Sequence, residues 1–152
     1  MDHAAYAKDL FEQGYNCAQA VFAAFADETG MDQETALKLS SSFGGGIGRL
    51  REVCGAVSGM AMAAGMLYGN TDPKDKDAKA AHYQLVQELV NTFKADNDSI
   101  ICRDLIGIDA DGSPIPNART KEYYESRPCS GLVESAARIL DDFIRGRKEA
   151  VV

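Results

Sequence analysis

The chemistry available to this chain lies in four cysteines, Cys17, Cys54, Cys102 and Cys129. They stand singly, with 36, 47 and 26 residues between neighbours. None forms a C-x-x-C pair, so the zinc-ribbon, thioredoxin and ferredoxin spacings are absent. A lone cysteine is ordinarily a small buried hydrophobe. Position sets these four apart, because each falls at or near an expected helix start. Cys17 follows Asn16, Cys54 opens an apolar segment, Cys102 lies in the first turn after Ser99, and Cys129 follows Pro128. At a helix start the unpaired N–H groups and the helix dipole favour an anion. A thiol there can titrate at ~3.5–7.5 instead of about 8.5.

The arginines point the same way. Of eight in the chain, Arg49, Arg51, Arg103 and Arg127 lie within five residues of a cysteine. Arg49 and Arg51 stand in "GGGIGRLREVCGAVSG", residues 44–59, where six glycines surround Cys54. This stretch is expected to deliver open backbone and positive charge to Cys54, so that Arg49 and Arg51 hold its thiol pKa down. It is not a Walker loop, since Gly48 is followed by Arg49 and Leu50 in place of Lys and Ser or Thr. It is not a dinucleotide fingerprint either, because the segment before Gly44 reads as helix and the third glycine position is Arg49.

The elements that must position these residues read as helical almost throughout. Tyr6, Ala7, Leu10 and Phe11 share one face of a first helix that Gly14 can stop. Asn16 caps a second helix, bearing Ala20, Val21, Ala24 and Phe25, that ends at Gly30. Asp32 caps a third, carrying Ala36, Leu39 and Phe43. From Cys54 to Tyr68 there is no charge at all, as expected of a helix buried in the middle of a bundle. Pro73 suits the first turn of a long helix with Ala78, Ala81, Leu85, Val86, Leu89 and Phe93 on one stripe. A short turn holds Cys102 and ends at Gly107, "IDADGSPIPNA" is a surface loop, and a last helix begins near 128–130. The expected fold is all-α, one helical bundle of about six or seven helices around a Gly/Ala-rich central helix. His3 is expected in a mobile terminus, and Tyr123 and Tyr124 as packing residues near Cys129.

The chain has 152 residues, 45% of them hydrophobic and 26% charged, with a net charge of −7. That is enough apolar material for a real core, and one domain over residues 1–152 is expected. The acidic balance argues against nucleic acid and against an anionic membrane surface. No basic region followed by an apolar run marks a secretory signal, and no segment reaches the ~20 apolar residues of a membrane span. The expected location is the cytoplasm, with no stable membrane insertion. There, four cysteines more often bind metal, react or stay free than form structural disulfides.

The sequence C-G-A-x-x-G at Cys54, with one single cysteine upstream and two downstream, resembles the bacterial and archaeal C_GCAxxG_C_C family of redox-active proteins. The resemblance runs from "GYNCAQAV" through "GGGIGRLREVCGAVSG" and "CRDLIG" to Cys129, with Gly55, Ala56 and Gly59 at motif positions. It implies that the four cysteines act together, and that an unknown redox partner is transporter-associated. Three readings stay open. One is thiol–disulfide or electron-transfer chemistry by a thiol-dependent oxidoreductase, with Cys17, Cys54, Cys102 and Cys129 as its catalytic groups. The second is a four-thiolate metal centre with the same cysteines as ligands, holding a [2Fe–2S] cluster or Zn. The third is a non-catalytic helical adaptor. Gly55, Gly59, Arg49 and Arg51 are the candidate cofactor contacts, and a homo-oligomer remains open.

Overall fold

The computed structural model describes residues 1–151. Among them are nine α-helices, no strand and one isolated antiparallel bridge. The helices are α1 (His3–Glu12), α2 (Cys17–Ala24), α3 (Ala26–Thr29), α4 (Gln33–Ser40), α5 (Gly55–Tyr68), α6 (Lys76–Asn97), α7 (Cys102–Ile106), α8 (Lys121–Ser126) and α9 (Cys129–Val151). The chain is all-α. No helix among the described residues is long and apolar enough to cross a membrane.

The caps explain most of the boundaries. Asp2, Asp32 and Asp75 each accept a backbone N–H in the first turn of α1, α4 and α6. Asn16 and Gln19 form a reciprocal capping box at α2. Gly30 and Gly107 close α3 and α7 in the left-handed conformation. The expected second helix breaks at Phe25, leaving α3 as a separate turn. The six-residue α8 was not expected, since one and a half turns give no periodicity to read. Pro73 lies ahead of α6 rather than in its first turn; Asp75 is the cap.

Helix α2 is the hub. Six of its eight residues are buried, and it packs on α5, α1, α4 and α9. α5 is apolar on every side, as its lack of charge requires, and lies against α2, α9 and α6. Phe11, Phe22, Phe25, Phe93, Met60 and Leu140 fill the core. On the long α6 only Leu85, Leu89 and Phe93 are buried, and Leu39 on α4 is half exposed, so both stripes are narrower than expected. α1 runs along α9, and there His3 departs from the expected mobile terminus. It is 3% exposed, stacks on Phe25 at 4.3 Å, and has its ring nitrogens 2.5 Å from Asp141 and 2.8 Å from Asp27.

Candidate functional site

All four cysteines begin helices. Cys17, Cys102 and Cys129 are the first residues of α2, α7 and α9, and Cys54 is the residue before α5. Backbone pairing brings two of these starts together. The Cys54 N–H donates to the Ile100 carbonyl at 2.8 Å and the Cys102 N–H to the Glu52 carbonyl at 2.6 Å, flanking the Val53–Ile101 bridge. Glycines tighten the approach of Cys17 and of Cys102. A Cβ on Gly55 would stand 3.2 Å from the Cys17 Cβ and 2.9 Å from the Phe43 carbonyl oxygen. A Cβ on Gly46 would stand 2.8 Å from the Cys102 Cβ. The cysteine-bearing segments therefore meet at distances that only a missing side chain permits. Gly59 does the same further along α5, against Ala18 and Val21, and faces the core.

The loop before Cys54 is strained. Gly45, Gly46, Ile47, Gly48, Arg49 and Arg51 all have φ between 54° and 74°. Three of these are not glycine, and each such residue costs about 1–2 kcal/mol. The loop folds back on itself, with Arg51 N–H on the Gly45 carbonyl and Glu52 N–H on that of Gly46. Strain of this kind persists only where the surroundings hold it, and it concentrates at functional sites.

The result is a cavity of about 370 Å³ whose wall includes Cys17, Cys102 and Cys129. Cys54 lies behind it, 4% exposed. Each of the six cysteine pairs is near enough for one thiolate to oppose ionisation of its neighbour. All four are free thiols. Four arginines also line the cavity: Arg49, Arg51, Arg119 and Arg127. No Asp or Glu lines it among the described residues.

The thiols differ sharply in acidity. Burial pushes Cys54 up to about 12, against a weaker opposite pull from the Ala56 and Val57 N–H groups. Burial also raises Cys102, against the nearby Arg51. Cys17 and Cys129 act on one another. Their interaction raises Cys17 and lowers Cys129 to about 7, with Arg127 and Arg119 assisting at Cys129 against its burial. At a helix start the dipole favours a thiolate, but burial outweighs it at Cys54 and Cys102, and the interaction with Cys129 together with burial outweighs it at Cys17.

This corrects the expectation for Arg49 and Arg51. Neither depresses Cys54. Arg51 is 5% exposed, and its Nη1 donates to Cys102 Sγ at 3.8 Å. Arg49 holds the 108–117 loop instead, donating to the Ser113 carbonyl at 2.5 Å, Asn117 Oδ1 at 3.1 Å and Asp111 Oδ1 at 3.3 Å. Arg103 turns outward to Glu52. Arg119 was not found from sequence because it stands ten residues before Cys129. It reaches the site through Phe11 and Tyr15, whose carbonyls accept from it at 2.8 and 2.9 Å, and stacks over the Phe11 ring at 4.2 Å. Tyr123 does line the cavity, with Arg127 4.9 Å from its ring centre.

The sulfurs do not form a zinc tetrahedron. Four thiolates at about 2.3 Å from one Zn would stand roughly 3.8 Å apart. Among the described residues the one group of potential ligands lying mutually within 4.8 Å is His3, Asp27 and Glu28, which contains no cysteine. The looser spacing is compatible with ligands placed around a larger iron–sulfur core.

A family model described as "Putative redox-active protein (C_GCAxxG_C_C)" matches residues 15–143. No curated protein and no solved structure matches the chain.

Proposed function

Given that the chain belongs to the C_GCAxxG_C_C family, we propose that it is a thiol–disulfide redox protein in which Cys129 is the attacking group and Cys17 the resolving one. The observation that carries this reading is the asymmetric thiol pair: Cys129 held near neutral acidity by the Cys17 S–H, while the other three thiols stay protonated. An attacking thiol works best with a pKa near the ambient pH. The Cys129 thiolate attacks one sulfur of a disulfide, whose S–S bond breaks, and the leaving thiolate takes the electron pair. Cys17 then passes its proton to the first released thiolate and attacks Cys129 of the mixed disulfide, expelling the second thiolate. Two electrons have passed to the substrate, and Cys17 and Cys129 are joined. Cys54 and Cys102, protonated and buried, keep the pair company without competing for the first attack.

The test is to oxidise the reduced protein with one equivalent of a small disulfide and map the linkage by peptide mass. A Cys17–Cys129 bond is expected. A bond between Cys54 and Cys102, or no bond, contradicts the assignment. A second reading keeps one observation on its side: all six thiol pairs interact, as the ligands of one iron–sulfur centre would, beside arginines able to balance its negative charge. Such a centre would supply one-electron transfer. Protein purified without oxygen and showing visible absorption with stoichiometric iron would favour it.

A further inference from the structure

The charge around the cavity is unbalanced. Arg51 is a buried cation with no carboxylate partner among the described residues; its one side-chain contact is the Cys102 sulfur. Arg127 has Asn117 Oδ1 at 3.4 Å, the Tyr123 face and the nearby Cys129 thiol, and Arg119 has carbonyls, a phenol and rings; neither has a carboxylate, and one partly ionised thiol does not balance four guanidinium groups. Arg49 pairs with one carboxylate, that of the exposed Asp111. A guanidinium does not deprotonate, and a buried charge without a counterion is costly. In a chain with 23 acidic residues and a net charge of −7, the absence of acids from this wall is a marked departure from the rest of the molecule. Cys102 does not supply the missing charge at neutral pH, because burial keeps it protonated in spite of Arg51.

We infer that the cavity is built for an anionic disulfide, a small molecule whose carboxylate or other oxyanion groups sit against Arg51 and Arg127 while its S–S bond meets Cys129. The inference rests on the thiol-redox reading and names its substrate class. The geometry suits it. Cys129 and four arginines line the same cavity, and about 370 Å³ admits a small ligand. Arg49 contributes by fixing the 108–117 loop, whose Pro114, Pro116 and Asn117 also line the cavity. The positive field raises the local concentration of anions and repels cations, so it selects by rate.

The experiment compares three alkyl disulfides of matched size on the reduced protein at neutral pH and low salt: 3,3′-dithiodipropionate, its neutral diamide, and cystamine. Each rate is divided by that of the same compound with free cysteine. The dianion is expected to react at least about tenfold faster than the diamide, with cystamine slowest. About 0.5 M salt should shrink the preference, since it screens charge within a few ångströms. Arg127→Gln, in the half-buried wall, and Arg51→Gln should each reduce it several-fold. Should Arg51→Gln fail to fold, Arg127→Gln alone decides. Equal normalised rates for the three compounds overturn the inference while leaving the redox reading intact. If none of them oxidises the protein, the redox reading fails, and the charge preference is read from calorimetry on Cys129→Ser. Binding of dithiodipropionate but not of the diamide then upholds an anion site, and no binding of either removes it.

Discussion

Replacing Cys17 with Ala should change the reactivity of Cys129 in opposite directions at neutral and alkaline pH. The Cys17 S–H is the largest single influence holding Cys129 near 7, with Arg127 and Arg119 behind it. Losing the whole depression would return Cys129 to about 8.5, a change worth about 2 kcal/mol. At pH 7 the thiolate fraction would fall from about one half to roughly 3%, about sixteenfold. A more basic thiolate is also a better nucleophile, by roughly four- to sixfold over that interval at a Brønsted slope of 0.4–0.5. The net expectation is a rate about three to four times lower at pH 7 and about four to six times higher at pH 10. Burial still raises the Cys129 midpoint and the arginines still lower it, so these magnitudes are for a return to the free value. The assay is the pH–rate profile of a neutral disulfide at Cys129, read by peptide mass. Cys17→Ser is the control: its hydroxyl can still donate, so its midpoint should lie between the other two. An unfolded Cys129 would also titrate near 8.5, so Cys17→Ala must first show the parent's helical circular dichroism and urea midpoint. A Cys129 midpoint still near 7 in Cys17→Ala would show that Cys17 is not the donor.

Two further outcomes follow from the packing and the acidities. Gly46→Ala places a Cβ 2.8 Å from that of Cys102 at a φ of 74°, and should destabilise the fold by about 2–4 kcal/mol, seen as a lower urea midpoint. Alanine at the open Gly131 is the comparison, with a change within about 0.5 kcal/mol. Stability should also fall as pH rises above about 8.5. The unfolded Cys54 loses its proton there, while the folded one keeps it up to about 12, so each added pH unit costs up to about 1.4 kcal/mol for this group alone. Chemical denaturation at pH 8 and 9.5 measures the slope, and Cys54→Ala should flatten it; an equal slope in that variant would mean that Cys54 ionises as freely in the fold as outside it.

The sequence carried the fold where a local signal existed. Asn16, Asp32, Gly30 and Gly107 mark ends that the backbone confirms, and the uncharged run after Cys54 is the buried α5. The placement of all four cysteines at helix starts was legible for the same reason. What was hidden depended on direction and depth. Nothing in "GRLREVC" says that the backbone turns left-handed at Arg49 and Arg51, and that reversal takes one guanidinium to Cys102 and the other to the 108–117 loop. Nearness in sequence made Cys54 the obvious reactive thiol. Burial, a property of the assembled molecule, pushes its thiol up to about 12, while that of Cys129 is lowered to about 7. Arg119 reaches the cavity over carbonyls of the α1–α2 connection, a contact between segments more than a hundred residues apart.

Cys129 opens the last helix, and that helix packs along the first. On the ribosome, therefore, Cys17, Cys54 and Cys102 leave the exit tunnel well before the residue that completes the pair. Until α9 has formed, the early cysteines are ordinary thiols titrating near 8.5, and Cys129 itself is no more acidic when it first appears. At neutral pH a growing chain thus presents mostly protonated sulfur, which exchanges slowly with disulfides. If Cys129 is the attacking group proposed above, its acidity is acquired at the closing of the bundle rather than at the making of any cysteine.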